Sequence, residues 1–408
     1  YRLWHTGKIR DIVIENVNKI LKCRTPLLGY HMYECKQCSN VRLIPHSCKS
    51  LFYSQYYYIF KDVRELTSFG CNSCGKIMTD KWTEERLSDV LDVDYHHLVF
   101  TIPWQLRSIT LANPKIMLSL MFKSVSISLQ SWTKKYGGYI PGIYCIVHTF
   151  GSDIKYHPHF HVIITAGGLN IDRKKWIDTT GDYLMPEKGL KKRFRHNVIK
   201  LLIKANDKGI LTMPYLKNKG CYINLRGVVS IISRIMWYIY IGARLLELEV
   251  SIKYIGRYTK KPVIAETRIV SCTDKWITIS FKDYNSGGAI KSKPMRIYTF
   301  ITYLTNHIPE KFFRVIRSYG LFSNRLRGKL LPLTRKALNQ KKSIKPVFKT
   351  WRERTKNREK KDPLICEVCN IEMILIFVCF TYNYKMAEKL GLKFDELIPL
   401  RQIKINTS

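Results

Sequence analysis

The sequence lacks any long hydrophobic run and is poor in acid. No stretch approaches the ~18–20 uninterrupted apolar residues of a membrane span, and the run Ile371–Phe380 is too short. A bilayer-crossing reading is therefore set aside, and no membrane partner is expected. No signal peptide precedes the first motif, so the expected setting is the cytoplasm. The chain begins at Tyr1 rather than at a methionine, which suggests a fragment whose upstream targeting information is unread. There is no internal repeat, so domains have to be read from composition and pattern.

Acid is scarce in absolute terms, with 31 Asp and Glu against 69 Lys and Arg in 408 residues. The formal net charge is +38 and the pI is near 9.8. A solvated basic surface is the plain explanation of such a balance. The excess runs along the whole length, however, and a phosphate backbone rewards many cations through counterion release, so DNA is the expected partner. Hydrophobic content of 46% is ordinary, and the length suits two or three domains. Twelve cysteines in a reducing setting point to metal sites or free thiols before disulfides.

Helices are predicted over Ile9–Lys22 and Ile116–Trp132 from amphipathic periodicity, over Trp82–Val93 as a polar helix, over Lys191–Asn206 as a basic one, and over Ile252–Lys261, stopped by Pro262. His97–Pro103, Ile231–Ile241 with the stretch to Ser251, and Trp276–Phe281 read as strands. Tyr139–Thr149 and Tyr156–Thr165 read as an antiparallel hairpin about a Phe-Gly-Ser-Asp turn. The order of elements suits an α+β plan, an antiparallel sheet with helices on one face. Beyond Arg317 the chain reads as basic and linker-like. The expected domains are a cysteine-rich zinc-binding region over 1–85, a catalytic domain over 95–285, a basic helical or linker region over 286–362, and a C-terminal segment over 363–408.

Within the hairpin stands His157-Pro-His159-Phe-His161. Residues two apart on a strand share a face, so these imidazoles can converge on one divalent ion. Two histidines leave room for a third protein ligand, with His148, Asp153 and His157 as the candidates. Alone, the motif equally describes half-buried strand histidines. Downstream lies Tyr254-Ile-Gly-Arg-Tyr258, whose tyrosines share one helix face. A free phenol has a pKa near ~10 and is a poor nucleophile at neutral pH. Arg257 and Lys261 could stabilise the phenolate and the charge that develops at phosphorus. A metal that polarises a phosphodiester and a tyrosine that attacks it together make an enzyme that cuts and rejoins single-stranded DNA.

Cys35-x-x-Cys38 and Cys71-x-x-Cys74 have the spacing of a tetrahedral zinc site, with Cys23, His31 and Cys48 as further ligand candidates. Cys366-x-x-Cys369 is a third pair with no partner pair near it in sequence, and Cys379 reads as core.

His159-Phe-His161 resembles the HUH motif, and Tyr254-x-x-x-Tyr258 resembles the tyrosine pair of the rolling-circle insertion-sequence transposases of IS91 type. Cys23-Arg-Thr, Leu28-Gly-Tyr-His31, His97-Leu-Val-Phe-Thr-Ile-Pro103, His148-Thr-Phe-Gly151 and Tyr319-Gly-Leu-Phe-Ser-Asn-Arg325 resemble further blocks of that family, in order. The resemblance implies a ferredoxin-like HUH palm and both tyrosines as nucleophiles. It also implies Mg²⁺ or Mn²⁺ held by His159 and His161, structural Zn²⁺ upstream, and action at the bacterial nucleoid. The sequence departs from the family at Leu51–Ser68, which reads as an insertion and puts the zinc geometry in question. A replication-initiator or relaxase-like nickase, or an inactive DNA-binding remnant, are the alternatives.

Overall fold

A computed structural model describes residues 10–21, 28–46, 89–179, 185–218, 221–245, 263–341 and 349–380. They fall into two compact units, one containing residues 89–341 and the other residues 28–46 and 349–380.

The larger unit is α+β. Its centre is a five-stranded, wholly antiparallel sheet. With β1 (Gly29–Glu34) and β2 (Val41–Pro45) in the smaller unit, the strands of this sheet are β3 (Tyr95–Thr101), β4 (Gly142–Phe150), β5 (Tyr156–Thr165), β6 (Ile239–Leu245) and β7 (Ile316–Gly320). They lie in the order β6-β3-β5-β4-β7. The predicted hairpin is β4 and β5, and β5 is the middle strand. The sheet takes its edge from Ile316–Gly320, well past residue 285, so the described residues just beyond Arg317 are part of the fold rather than linker-like. A helix over Arg327–Ala337 follows in this unit, and a capped helix over Trp351–Glu359 lies in the smaller unit.

Three helices cover one face. After α1 (Asp11–Leu21), these are α2 (Pro114–Trp132), α3 (Glu187–Asp207) and α4 (Leu225–Arg234). In α3, Leu190, Phe194, Val198, Leu202 and Ala205 form the buried stripe, the three-to-four spacing that keeps one face inward. The core joins Leu98, Phe100, Phe160, Val162 and Ile164 of the sheet to Phe122, Leu129, Phe194 and Ile232 of the helices. Edge-to-face rings knit it together, with Phe122 against Phe160 at 4.9 Å and Phe100 against Phe194 at 5.0 Å. Truncating such a ring to alanine costs about 3–5 kcal/mol.

The strand expected over Ile231–Ile241 is half helix. Asn224 caps α4 by accepting the Gly227 N–H at 3.0 Å, and Leu225, Val228 and Ile232 bury one face. Capping and amphipathic burial outweigh the strand preference of the β-branched run Val228-Val229-Ser-Ile-Ile232. The helix expected over Trp82–Val93 is partly outside the described residues, and its described end, 89–93, is turn and bend. A three-stranded ribbon spans 269–296 and reverses at Gly287 and Gly288, both at positive φ. Among the described residues, no helix is long and apolar enough to cross a membrane.

In the smaller unit, β1 pairs with β2 on one side and with β8 (Ile374–Phe380) on the other. The apolar run near the C-terminus is therefore a strand, and Cys379 within it is half-buried rather than core.

Candidate active site

Strand alternation builds the site. β5 sends Phe160, Val162 and Ile164 into the helix-covered core, so His157, His159 and His161 lie on the opposite face. The neighbouring strands add to that face. His148 of β4 stands across from His159, and Val99 of β3 stands across from His161. His97 shares the β3 face with Val99, two residues away.

The structure brings together His148, His159 and His161, whose ligand nitrogens all lie within 4.8 Å of one another. His148 and His161 are buried, and His159 is half-buried. His159 Nδ1 lies 2.8 Å from the His157 carbonyl. A carbonyl only accepts, so Nδ1 carries the proton and Nε2 keeps its lone pair for a ligand. His161 Nδ1 lies 3.0 Å from His97 Nε2, and the two rings stack. Of the other third-ligand candidates, Asp153 pairs with Lys155 at 3.1 Å. His157 turns its Nδ1 to the Arg107 guanidinium.

Burial lowers the His97 pKa to about 4. Burial, then the Arg107 charge and then His159 lower His157 to about 4 as well. Both are therefore neutral imidazoles at neutral pH, the form a cluster of nitrogen donors requires.

His97, His157, His159 and His161 open on a cleft of about 700 Å³ that Tyr238, Tyr240 and Tyr284 also line. These tyrosines are 60%, 47% and 74% exposed, and Lys282 Nζ lies 5.6 Å from the Tyr284 ring centre. A register shift between Ile241 and Arg244 bends β6 beside the cleft. A Cβ at Gly242 would approach the His97 carbonyl at 3.1 Å. Such bulges re-aim side chains next to sites.

His97, Arg107 and the cleft tyrosines were not singled out from sequence. His97 carried a usable signal, being one of two adjacent histidines at the start of the strand read from His97. Tyr254, Arg257, Tyr258 and Lys261 lie outside the described residues, as do Cys23, Cys48, Cys71 and Cys74.

The second cluster is in the smaller unit. Cys35 and Cys38 face Cys366 and Cys369, with all four sulfurs within 4.8 Å of one another. The C-terminal pair thus acquires its partner pair through folding. The backbone N–H of Cys369, then that of Val368, draws the Cys366 thiol down to about 6. In the same unit, His31 Nδ1 and His46 Nε2 lie 3.0 Å apart.

Comparison with known proteins agrees with both parts of the chain. Residues 142–329 match the family model described as "Putative transposase". Residues 1–53 and 67–102 match a second, "Transposase zinc-binding domain". The gap in the second match falls inside the Leu51–Ser68 interruption. The "Transposase for insertion sequence element IS801" of Pseudomonas savastanoi pv. phaseolicola is 27% identical over 382 residues, 91% of this chain and 85% of that protein. "Putative transposase y4qJ" of Sinorhizobium fredii (strain NBRC 101917 / NGR234) is 27% identical over 345 residues, 83% of this chain and 81% of that protein. No solved structure matches the chain significantly.

Proposed function

We propose that this chain, which belongs to the transposases with an IS91-type zinc-binding domain, nicks one DNA strand and transfers it through a 5′-phosphotyrosine. The observation that carries this reading is the convergence of His148, His159 and His161 beside an open cleft that His159 and His161 line, in the region that matches the transposase family.

The donor set suits a divalent ion of the first transition row. Three neutral nitrogens fit Mn²⁺ better than Mg²⁺, which prefers an all-oxygen shell. When bound, the ion supplies Lewis-acid polarisation of a non-bridging phosphate oxygen. The protein does the rest. His148, His159 and His161 hold the ion, and His97 keeps the His161 ring turned toward it. The half-buried Arg107 guanidinium offers charge to a phosphate. Tyr238, Tyr240 and Tyr284 present faces on which unpaired bases stack, and single-stranded DNA is the substrate that exposes such bases.

Tyr254 or Tyr258 supplies the nucleophile. Its phenolate oxygen forms a bond to phosphorus as the bond to the 3′ oxygen breaks, and that oxygen takes up a proton and leaves as a hydroxyl. Arg257 and Lys261 favour loss of the phenolic proton. The ester keeps the bond energy, so attack by a second 3′-hydroxyl reseals the strand without a nucleotide cofactor. Two tyrosines let one end be held while another is cut. The working place is then the bacterial nucleoid.

A single-stranded oligonucleotide carrying a transposon end tests the proposal. With Mn²⁺ or Mg²⁺ the protein should form a covalent adduct that survives denaturing electrophoresis, and His159→Ala should abolish it. No adduct with either ion would leave a DNA-binding remnant. An adduct that never passes to a second DNA end would leave a relaxase-like nickase.

A further inference from the structure

We propose that Cys35, Cys38, Cys366 and Cys369 form one structural zinc site, which makes the N-terminal hairpin and the C-terminal strand a single metal-dependent module. The zinc-binding family match stops at residue 102, so Cys366 and Cys369 lie outside it.

The two CxxC turns are built alike. The Cys35 N–H donates to the Asn40 carbonyl at 2.9 Å, and the Ser39 N–H returns to the Cys35 carbonyl at 2.9 Å. The Cys366 N–H donates to the Ile371 carbonyl at 2.9 Å, and the Asn370 N–H returns to the Cys366 carbonyl at 3.0 Å. Each turn therefore closes from the fourth and fifth residues after its first cysteine. The fourth residue is left-handed in both, Ser39 at φ 54° and Asn370 at φ 55°. The same backbone arises twice, from opposite ends of the chain, and the two turns face each other.

The spacing of the sulfurs fits zinc. Tetrahedral Zn–S bonds of ~2.3 Å set thiolates about 3.8 Å apart, and Cys38 Sγ lies 3.7 Å from Cys366 Sγ. Asn40 Nδ2 donates to Cys366 Sγ at 3.8 Å, as an amide does to a metal-bound thiolate.

The surroundings call for a metal. Among the described residues, the buried cluster beside the sulfurs consists of Cys35, Cys366 and Met373, with Tyr33 and Cys369 packed against it. A metal would staple a sheet whose described core beside the sulfurs is this small. Further ties cross between the two segments. β1 pairs with β8 from Gly29↔Phe380 to Glu34↔Ile374. Arg42 donates to the Pro363 carbonyl at 2.8 Å and pairs with Glu367 at 3.0 Å. None of the four ligands comes from 47–88, so the Leu51–Ser68 interruption falls outside the chelate.

Sequence spacing alone pairs Cys35 and Cys38 with Cys71 and Cys74, and the two assignments can be separated. Metal analysis of the full-length protein should show that Cys366→Ser with Cys369→Ser loses one equivalent of zinc. Cys71→Ser with Cys74→Ser should keep that equivalent. The opposite result overturns the site. Wild-type protein decides the matter even if a variant fails to fold. After exchange of zinc for ¹¹³Cd, one cadmium resonance should couple to the β-protons of Cys35, Cys38, Cys366 and Cys369. Coupling from Cys35 and Cys38 to the same cadmium as Cys71 and Cys74 would overturn the assignment.

Discussion

His97 Nε2 lies 3.0 Å from His161 Nδ1, with the rings 5.3 Å apart and 10° from parallel. A ring nitrogen engaged in this way fixes which nitrogen its partner turns toward a ligand. His97 reaches His161 from the neighbouring strand β3, where it is opposite Ile163.

His97→Ala should therefore loosen His161 without removing a ligand. Outer partners of this kind change metal affinity or activity by about 10–100-fold. Titration of adduct formation with Mn²⁺ should show a higher half-saturation concentration and recovery at high Mn²⁺. His97→Gln, whose amide can still meet His161 Nδ1, should recover part of the loss. A variant with wild-type Mn²⁺ dependence would show that His97 only packs.

Tyr254→Phe combined with Tyr258→Phe should abolish the covalent adduct and leave DNA binding intact. Single-strand affinity is measured by fluorescence anisotropy and the adduct by denaturing gel. Each single variant should retain one round of cleavage. An adduct that survives in the double variant would falsify the nucleophile assignment.

Stability should depend on pH through His307. This side chain is buried, with Nε2 donating to the Ile154 carbonyl at 2.8 Å and Nδ1 facing Thr149 Oγ1 at 3.0 Å. Burial lowers its pKa from 6.5 to about 4. Between those values the unfolded chain binds more protons than the folded one. The contribution is full above pH 6.5 and is lost as the pH falls toward 4, to a limit of about 3 kcal/mol. The urea midpoint should thus drop between pH 7.5 and pH 5, and by less in His307→Gln. Equal drops in the two proteins would assign the pH dependence to other groups.

Gly320→Ala should destabilise the larger unit. Gly320 ends β7 at φ +59°, and a Cβ there would come within 1.8 Å of the Pro141 carbonyl oxygen. The left-handed backbone alone costs about 1–2 kcal/mol with a side chain, and the clash adds to it. Thermal unfolding should shift down by several degrees, with the metal affinity of the histidine cluster unchanged. An unchanged Tm would mean that the turn reshapes freely.

Much of this arrangement is legible in the sequence, and the rest is hidden for identifiable reasons. The period-two pattern around His159 and His161 marks both the strand and its site face, and the hairpin brings His148 across from it. α2 and α3 announce themselves through three-to-four spacing. α4 does not, because its β-branched residues favour a strand until Asn224 caps the turn and Leu225, Val228 and Ile232 find the core. β7 is obscured by the basic residues around it. The partner of Cys35 and Cys38 is obscured by distance, since spacing rules favour nearby cysteines and Cys366 comes close only when β8 joins β1. His97 is missed because its role depends on strand register, which local pattern does not specify.

The strict alternation along β5 divides its mutations into two phenotypes. Phe160, Val162 and Ile164 meet only the core, so shortening them should give temperature-sensitive proteins that work normally when cool. His157, His159 and His161 face the cleft, so changing them should give proteins that fold and persist yet fail at every temperature. Neighbouring codons in one ten-residue segment would then supply both conditional and unconditional alleles, alternating along the strand. A one-residue insertion in Gly151–Lys155 is absorbed by that turn and spares the pattern, whereas one between Phe160 and His161 puts His161 out of phase with His159.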